Sequence, residues 1–564
     1  MQRVINIGIQ GFEKIRTENY FYVDKTGFIK EWWETGADVT LITRPRRFGK
    51  TLNMDMLNCF FSNRYQDRGD LFEGLSIWEE EKYHSLQGTY PVIFLSFAWV
   101  KEENAEAAKC KIKELIARLY EDNRYLLEGN LLSENEKKMY LNMTAYMNDT
   151  EATFALNSLC MYLNRYYGKK VLLFLDEYDT PMQEAYLGGY WNEFAGFMRS
   201  MFNSVFKTNP YLERAVMTGI TRISKESMFS DLNNLQVITV TSDKYNTCFG
   251  FTEKEVFQAL DEFGLSDERE NVKKWYDGFV FGSQRDIYNP WSITGFLDSR
   301  KYQSYWTATS SNNMAGRLIQ TASAEVKKQM EELLQGKEIV VHFDEQIVFT
   351  QLDTNETAIW SLLMASGYLR AECVEYLGET RKPWYHLKIT NLETKDMFET
   401  MFAAWFQASG SGYHNFVRAL LQDDVEMMNY YMNRVASDTF SYFDVGGQGS
   451  GLEETERFYH GFVLGLMAEQ TDNYILKSNR ESGFGRYDVM MVPKNIENSK
   501  LPALILEFKV RNPGKEKTLE ETVQTALNQI EDKKYDVELI SGGIPAEKIR
   551  HYGFAFDGKK VLIG

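Results

Sequence analysis

Three side chains near the end of the chain, Asp488, Glu507 and Lys509, have the types and spacing of a phosphodiester-cleaving centre. Gly485-Arg486-Tyr487-Asp488 is followed at hairpin distance by the apolar run Leu504-Ile505-Leu506, which delivers Glu507-Phe508-Lys509. Residues two apart on a strand share a face, so Glu507 and Lys509 point together while Phe508 turns toward the core. The two carboxylates, with the Phe508 carbonyl, offer oxygen ligands to a hard divalent cation, Mg2+ or Mn2+. Such an ion lowers the pKa of a bound water and neutralises charge on a scissile phosphate, with Lys509 placed to orient or activate that water. Glu456, on the helix that opens this region, is a candidate further metal ligand, and Gln529 and Tyr535 are candidates to orient the site. Taken alone, the pattern also suits charged decoration of an edge strand. The apolar run Leu504–Leu506 argues otherwise. A strand apolar on both faces is central, and charges at its end need a partner or a metal.

A second phosphate-handling pattern lies far upstream. Thr40-Leu41-Ile42-Thr43 leads into Arg44-Pro45-Arg46-Arg47-Phe48-Gly49-Lys50-Thr51 and then a helical stretch, Leu52–Phe61. The Walker A pattern has glycine where Arg44 stands. The groups that do the chemistry are present: Gly49 lets backbone approach phosphate, Lys50 reaches the terminal phosphates, and Thr51 ligates magnesium at a helix N-terminus. Arg46 and Phe48 are counted with them as nucleotide-binding. Val171-Leu172-Leu173-Phe174-Leu175-Asp176-Glu177 reads as the partner strand, with Asp176 on magnesium and Glu177 as the water-activating base. Thr218, ending another apolar run, is a candidate sensor of the γ-phosphate, and Arg222 follows it. The plainer alternative is an α/β domain whose strand ends are acidic for no catalytic reason. Tyr22-Val23-Asp24-Lys25 either covers a nucleotide base or makes a turn before a helix.

These groups need elements to hold them. The first 245 residues alternate short apolar strands (Val39–Thr43, Val92–Phe97, Val171–Leu175, Ala215–Thr218) with helical stretches such as Ala105–Tyr120 and Phe154–Tyr167, the pattern of a parallel sheet covered by helices. Val92–Phe97 falls between the two nucleotide motifs, as in NTPases with an added central strand and a catalytic glutamate. Residues 251–395 change to amphipathic helices with aromatic loops, Tyr276-Asp277-Gly278-Phe279 and Tyr288-Asn289-Pro290-Trp291. Within them Ile359–Ile389 reads as a helix and two strands around Glu379-Thr380-Arg381-Lys382, suited to a winged-helix-like lid. Residues 396–449 are expected as a helical linker ending in Gly446-Gly447-Gln448-Gly449-Ser450-Gly451. Residues 450–564 read helix (Glu453–Met467), strand, strand, helix (Leu519–Lys533) and short strands. The expected division is thus 1–250, 251–395, 396–449 and 450–564.

The chain has 564 residues, 44% of them hydrophobic and 25% charged, enough for several domains of roughly 100–200 residues. No apolar run approaches the roughly 18 residues of a membrane span, and the first residues show no signal-peptide core. Five scattered cysteines without metal spacing suit a reducing cytoplasm. The six histidines are unpaired in spacing; His460, four residues after Glu456, is the one to watch. A net charge of −17 argues against tight non-specific binding to a polyanion. From Ser450 onward, however, 16 Lys and Arg face 18 Asp and Glu, so the acidity belongs upstream and the tail is open to nucleic acid.

Together the motifs resemble those of bacterial proteins with an AAA-ATPase-like N-terminal region and a C-terminal PD-(D/E)XK nuclease-superfamily domain. The resemblance rests on Tyr22–Thr26, Arg44–Thr51, Leu175–Asp179, Thr218–Arg222 and Tyr288–Ser292. Toward the end it rests on Glu481-Ser482-Gly483 with Gly485–Asp488, Glu507-Phe508-Lys509, and Ala526-Leu527 with Gln529-Ile530. It spans nearly the whole chain, and arginine at the first Walker position is typical of such proteins. The fold implied is an α/β P-loop NTPase core, a helical and winged-helix lid, and a restriction-endonuclease-like α/β domain. The leading function, inferred from the intact residues of both motifs, is an ATP-gated, Mg2+-dependent nuclease acting on DNA in preference to RNA, in defence or mobile-element biology, with a homo-oligomer as a candidate assembly and no membrane partner. The alternative is a nucleotide-switched regulator whose nuclease-like domain only binds nucleic acid or protein.

Overall fold

The computed structural model describes residues 3–221, 229, 232–309, 313–345, 352, 355–407, 412–443, 451–470, 472–482, 485–495, 501–512, 514–557 and 560–564. Within these, residues 309, 313, 324, 406–407, 437–443, 451–460, 479–482 and 485–487 are described by backbone alone. Arg222, the glycine-rich segment 446–450 and Gly483 therefore lie outside the described residues, as do the side chains of Glu456, His460, Arg486 and Tyr487. The chain divides into two units, residues 1–311 with 340–393, and residues 312–339 with 394–564.

The first unit is built on five parallel strands, β1 (Val39–Thr43), β2 (Val92–Ser96), β3 (Val171–Asp176), β4 (Leu212–Gly219) and β5 (Leu235–Ile238), in the order β2-β3-β4-β1-β5. Every residue of β1 and of β3 is buried, as expected of central strands covered on both faces. The helices Lys50–Phe61, Ala105–Asp122 and Asp149–Tyr167 alternate with these strands. The last begins with Asn148 and Glu151 in a reciprocal capping box, which satisfies two otherwise unpaired amides. In space the strand between the two nucleotide motifs is β4, whereas β2, which separates them in sequence, lies at the sheet edge.

A small sheet follows, β6 (Phe251–Thr252), β7 (Phe279–Phe281) and β8 (Gln284–Tyr288), in the order β6-β8-β7. Three further strands, β9 (Ile339–Val341), β10 (Leu369–Leu377) and β11 (Lys382–Ile389), come in the order β10-β11-β9, with the helix Ala358–Ala365 directly before the β10–β11 hairpin.

The second unit carries β12 (Tyr474–Ser482), β13 (Gly485–Pro493), β14 (Ala503–Val510), β15 (Ile549–Asp557) and β16 (Lys560–Ile563) in sequential order. Only β14 and β15 are parallel, and the helix Leu519–Lys533 makes their crossover. Gly553 lets that helix close on β15, because a Cβ there would lie 2.8 Å from the Val523 carbonyl oxygen. At the other side of β15, the outer strand β16 is bonded along its edge by the helix Val425–Phe443. Asn429 and Asn433 each donate to and accept from its backbone, at Ile563 (2.8 and 2.8 Å) and Val561 (2.7 and 3.0 Å).

Candidate nucleotide and metal sites

Parallel strands gather their C-terminal ends into one crevice, where ligands of open α/β sheets bind. β1 ends at Thr43, and the loop Arg44–Gly49 turns into the helix Lys50–Phe61 through Gly49 at φ 77°, a left-handed conformation that favours glycine. The helix N-terminus then presents Lys50 and Thr51 to the crevice. The Lys50 ammonium donates to the carbonyl oxygens of Arg44 (2.9 Å) and Pro45 (2.8 Å), and burial lowers its pKa against the opposing pull of Glu177 and Asp176. Asp176, 1% exposed at the end of β3, accepts from Thr51 Oγ1 at 2.7 Å and from Thr218 Oγ1 at 2.5 Å. Burial pushes its carboxyl up, and these two hydroxyls hold it down. The strand order explains the meeting: Thr218 on β4 stands between β1 and β3. Glu177 follows with φ 52°, a strained setting for a side chain, and accepts from Thr180 Oγ1 at 3.0 Å. Lys50, Thr51, Asp176 and Thr218 are thus brought together, with Glu177 beside them. Phe48 belongs to the loop through its backbone, since its ring is buried against Phe279 and Phe281. The Tyr22–Lys25 segment forms a turn before a helix, with Asp24 accepting from the Thr26 and Ser76 amides and Lys25 paired to Glu255.

The second unit assembles its own polar cluster. The β13–β14 ladder pairs Val489 with Leu506, and one step beyond that pair Asp488 comes opposite Glu507. There the Asp488 carboxylate takes over from the ladder, accepting the Phe508 amide at 2.8 Å. Glu507 is 1% exposed; its Oε1 lies 3.2 Å from the Lys509 ammonium and also accepts from Gln529 Nε2. Gln529, on the crossover helix, accepts from Lys509 at 2.6 Å and donates to the Tyr535 hydroxyl at 3.0 Å. Burial, and then the charge of Asp488, raise the Glu507 carboxyl to about 7, against the pull of Lys509. Its other oxygen, Oε2, is buried with no hydrogen-bond partner. An acceptor oxygen left bare beside a second carboxylate has the chemistry of a ligand to a hard cation. Phe508 turns the opposite way, its ring stacked on Phe554 and Phe556.

Residues 6–229 match the family model described as predicted AAA-ATPase, and residues 454–564 match that of the PD-(D/E)XK nuclease superfamily. The chain pairs an AAA-ATPase-like domain with a PD-(D/E)XK nuclease superfamily domain. A relative in Azotobacter chroococcum mcd 1, described only as an uncharacterized protein in the vnfD 5' region, is 27% identical over 399 residues, covering 70% of this chain and 69% of that one.

In the AAA-ATPase-like domain, two residues that sequence reasoning gave no role hold the site in place. Arg44 is fully buried, and its guanidinium donates to the carbonyls of Thr43 (2.9 Å) and Thr239 (2.7 Å) while lying over the Phe281 ring. Burial lowers its pKa to about 10, so it stays charged at neutral pH. It therefore ties the start of the phosphate loop to the segment after β5, a task for which glycine has no atoms. Asp179 is buried and accepts from the Ile220 and Thr221 amides at 3.0 and 2.8 Å, locking the turn after β3 to the end of β4. Its acidic neighbours were the available signal, but only the β3–β4 pairing shows what it holds. The aromatic loops also serve the phosphate loop: Asn289 donates to the Arg46 carbonyl at 3.2 Å, and the Arg47 guanidinium lies 4.1 Å from the Trp291 ring centroid. Among the described residues, no helix is long and apolar enough to cross a membrane.

Proposed function

We propose that this protein binds ATP and cleaves nucleic acid, DNA in preference to RNA, by a divalent-metal-dependent reaction whose rate depends on nucleotide state. The observation that carries the nuclease part is the buried Glu507 carboxylate with a bare oxygen, beside Asp488 and between Lys509 and Gln529. Asp488 and Glu507 would hold Mg2+ or Mn2+, with the Phe508 carbonyl and Glu456 as the further ligands. Bound there, the ion supplies charge neutralisation at the phosphate and an acidified water. Lys509, held by Gln529, keeps its ammonium at the entrance of the cluster, where it orients the attacking water and balances charge on the phosphate. Gln529 positions the carboxylate and the amine together, and Tyr535 holds Gln529.

On the ATP side, Gly49, Lys50 and Thr51 would cradle the phosphates, with Arg46 and Arg222 as further phosphate contacts. Thr51 and Asp176 would hold magnesium, Glu177 would take the proton of the hydrolytic water, and Thr218 would report the γ-phosphate. Lys50 must leave the Arg44 and Pro45 carbonyls to reach a phosphate, which makes the loop responsive to nucleotide. The segment 251–395, with its helix before the β10–β11 hairpin, would act as a winged-helix lid that relays this change.

The test is cleavage of single- and double-stranded DNA and RNA with and without ATP and Mg2+. Metal-dependent cleavage of DNA that Lys509→Ala abolishes, and that loses its ATP response in Lys50→Ala, supports the reading. Equal cleavage by Lys509→Ala and the parent overturns it. A second reading has its own observation: Lys509 and Gln529 already share Glu507 Oε1, an arrangement that also suits a closed, non-cleaving domain. A nucleotide-switched binding protein would retain nucleic acid, respond to ATP and cleave nothing.

A further inference from the structure

Next to the phosphate loop, the first unit contains a cavity of about 220 Å3. Pro45 of the loop lines it, with apolar walls from Phe279 and Phe281 on β7, Met364 on the helix Ala358–Ala365 and Leu369 on β10. The charged residues of its lining, Arg285 on β8 with Arg370 and Glu372 on β10, form one group. Arg285 donates to Glu372 Oε2 (3.2 Å) and to the Glu372 carbonyl (2.6 Å), and Arg370 donates to Oε1 (2.9 Å). A third cation, Lys388, stands 4.0 Å from the same carboxylate. Two acids that touch the lining from outside have donors of their own. Glu345 accepts from Thr241 Oγ1 at 2.6 Å, and Asp243 accepts the Ser283 amide at 2.7 Å. The group around Glu372 is thus in positive excess, and Arg285 commits to it two of the five N–H groups that a guanidinium carries. Apolar walls with a few convergent polar groups are how proteins hold small molecules. Roughly 150 Å3 of apolar space suffices for a benzene ring, so this cavity has room for a ring and one anionic group.

We propose that this cavity binds a small organic anion, an apolar body bearing one carboxylate or phosphate, and that its occupant opposes ATP binding. The apolar body lies against Pro45, Phe279 and Phe281, and the anionic group takes N–H groups of Arg285 and Arg370. The second part rests on the reading of Gly49–Thr51 as the ATP-binding turn, and it follows from what the cavity shares with that turn. Pro45 lines the cavity while its carbonyl receives the Lys50 ammonium at 2.8 Å. Phe279 and Phe281 line it while packing on the Phe48 ring. The seam is tight: a Cβ on Gly367, at φ 82°, would lie 2.8 Å from Pro45 Cγ and 2.9 Å from the Phe279 ring. The cavity has this shape while Lys50 is held by the loop carbonyls. A ligand that fits it therefore favours the arrangement from which a nucleotide must draw Lys50 away. By reciprocity, ATP weakens that ligand by the same factor.

Two thiols report occupancy and its control in one protein. Cys373 is exposed and lines the cavity, whereas Cys110, also exposed, stands outside it on the helix Ala105–Asp122. The experiment follows alkylation of each by iodoacetamide in the full chain without nucleotide, by mass spectrometry, with phenyl phosphate, phenylacetate or neutral benzyl alcohol as probe. One or both anions should slow Cys373 by about fivefold or more at saturation and leave Cys110 unchanged, the tighter of the two naming the anionic group, and benzyl alcohol should slow neither. Calorimetric titration of the same probes gives the affinities independently of the thiol. Arg285→Ala, at a side chain 57% exposed, should weaken the anions by about tenfold or more. ATP titrated into probe-saturated protein should bind about fivefold more weakly than into free protein. Absence of binding by either anion, equal slowing of both thiols, or unchanged affinity in Arg285→Ala overturns the site. Unchanged ATP affinity in a chain that binds ATP overturns the opposition. A chain that binds no ATP overturns the nucleotide reading, and with it the second part, while the Cys373 result stands by itself.

Discussion

Lys50 and Glu507 are both buried ionisable groups, yet their surroundings point to opposite uses. Among the described residues, the Lys50 ammonium donates only to loop carbonyls, partners that a triphosphate outbids with full negative charge and charge-assisted hydrogen bonds. Lys50→Ala is expected to weaken ATP binding by about 100-fold or more, about 2.7 kcal/mol, when titrated by calorimetry; unchanged affinity would remove the phosphate-loop assignment. Glu507 instead has a carboxyl whose folded pKa is raised to about 7 from an ordinary 4.5. The folded state thus holds a proton that the unfolded chain releases earlier. This contribution to stability is complete below about pH 4.5 and is lost as pH rises toward 7. Without metal, Glu507→Gln should therefore melt above the parent at pH 8, and the gap should close at pH 4. Each 1 kcal/mol of it corresponds to roughly 2–4 °C for a unit of this size. Mn2+ at pH 8 should lift the parent by more than it lifts the variant. Parallel pH profiles for the two proteins would show that Glu507 does not carry the raised pKa.

At the scale of elements, the phosphate loop depends on how closely β3 and β4 end together. A Cβ on Gly219 would come 2.6 Å from Asp179 Oδ1 and from the Tyr178 ring. Gly219→Ala must then push apart the turn that Asp179 locks, at a cost of about 1–3 kcal/mol. Urea unfolding of the parent and variant would show it as a lower midpoint at unchanged slope, and a midpoint equal to the parent's would mean that the turn yields freely. The central strands were readable in the sequence because residues such as Val171–Leu175 are apolar on both faces, which only a covered strand tolerates. β5 was not. Its Leu235-Gln236-Val237-Ile238 is four residues long and mostly half-buried, too short to show a period. The order of strands was hidden for another reason: β4 enters between β1 and β3 by tertiary pairing, and sequence order places β2 there. Glu507 and Lys509, by contrast, share one strand and could be read from it.

For the molecule as a whole, the supporting contacts described above for each site come from residues of its own unit. The phosphate loop is braced by Asp179, Asn289 and Arg44, and the tail cluster by Gln529 and Tyr535. Nucleotide affinity should accordingly be the same in Glu507→Gln as in the parent, and Mn2+ affinity at the tail the same in Lys50→Ala. Communication between them would show only in the cleavage rate as ATP is added. A change in either affinity would mean that the two sites share supporting residues.

The two asparagine amides laid along β16 have a consequence for assembly. An unpaired sheet margin invites another chain to add a strand, and here Asn429 and Asn433 occupy that margin with the bonding pattern of a neighbouring strand. Copies of this protein therefore do not join by annealing their sheets across β16 while the two amides are in place. Removing both amides, as Asn429→Ala with Asn433→Ala, would uncover the margin, and light scattering should then report growth of aggregates with concentration where the parent shows none.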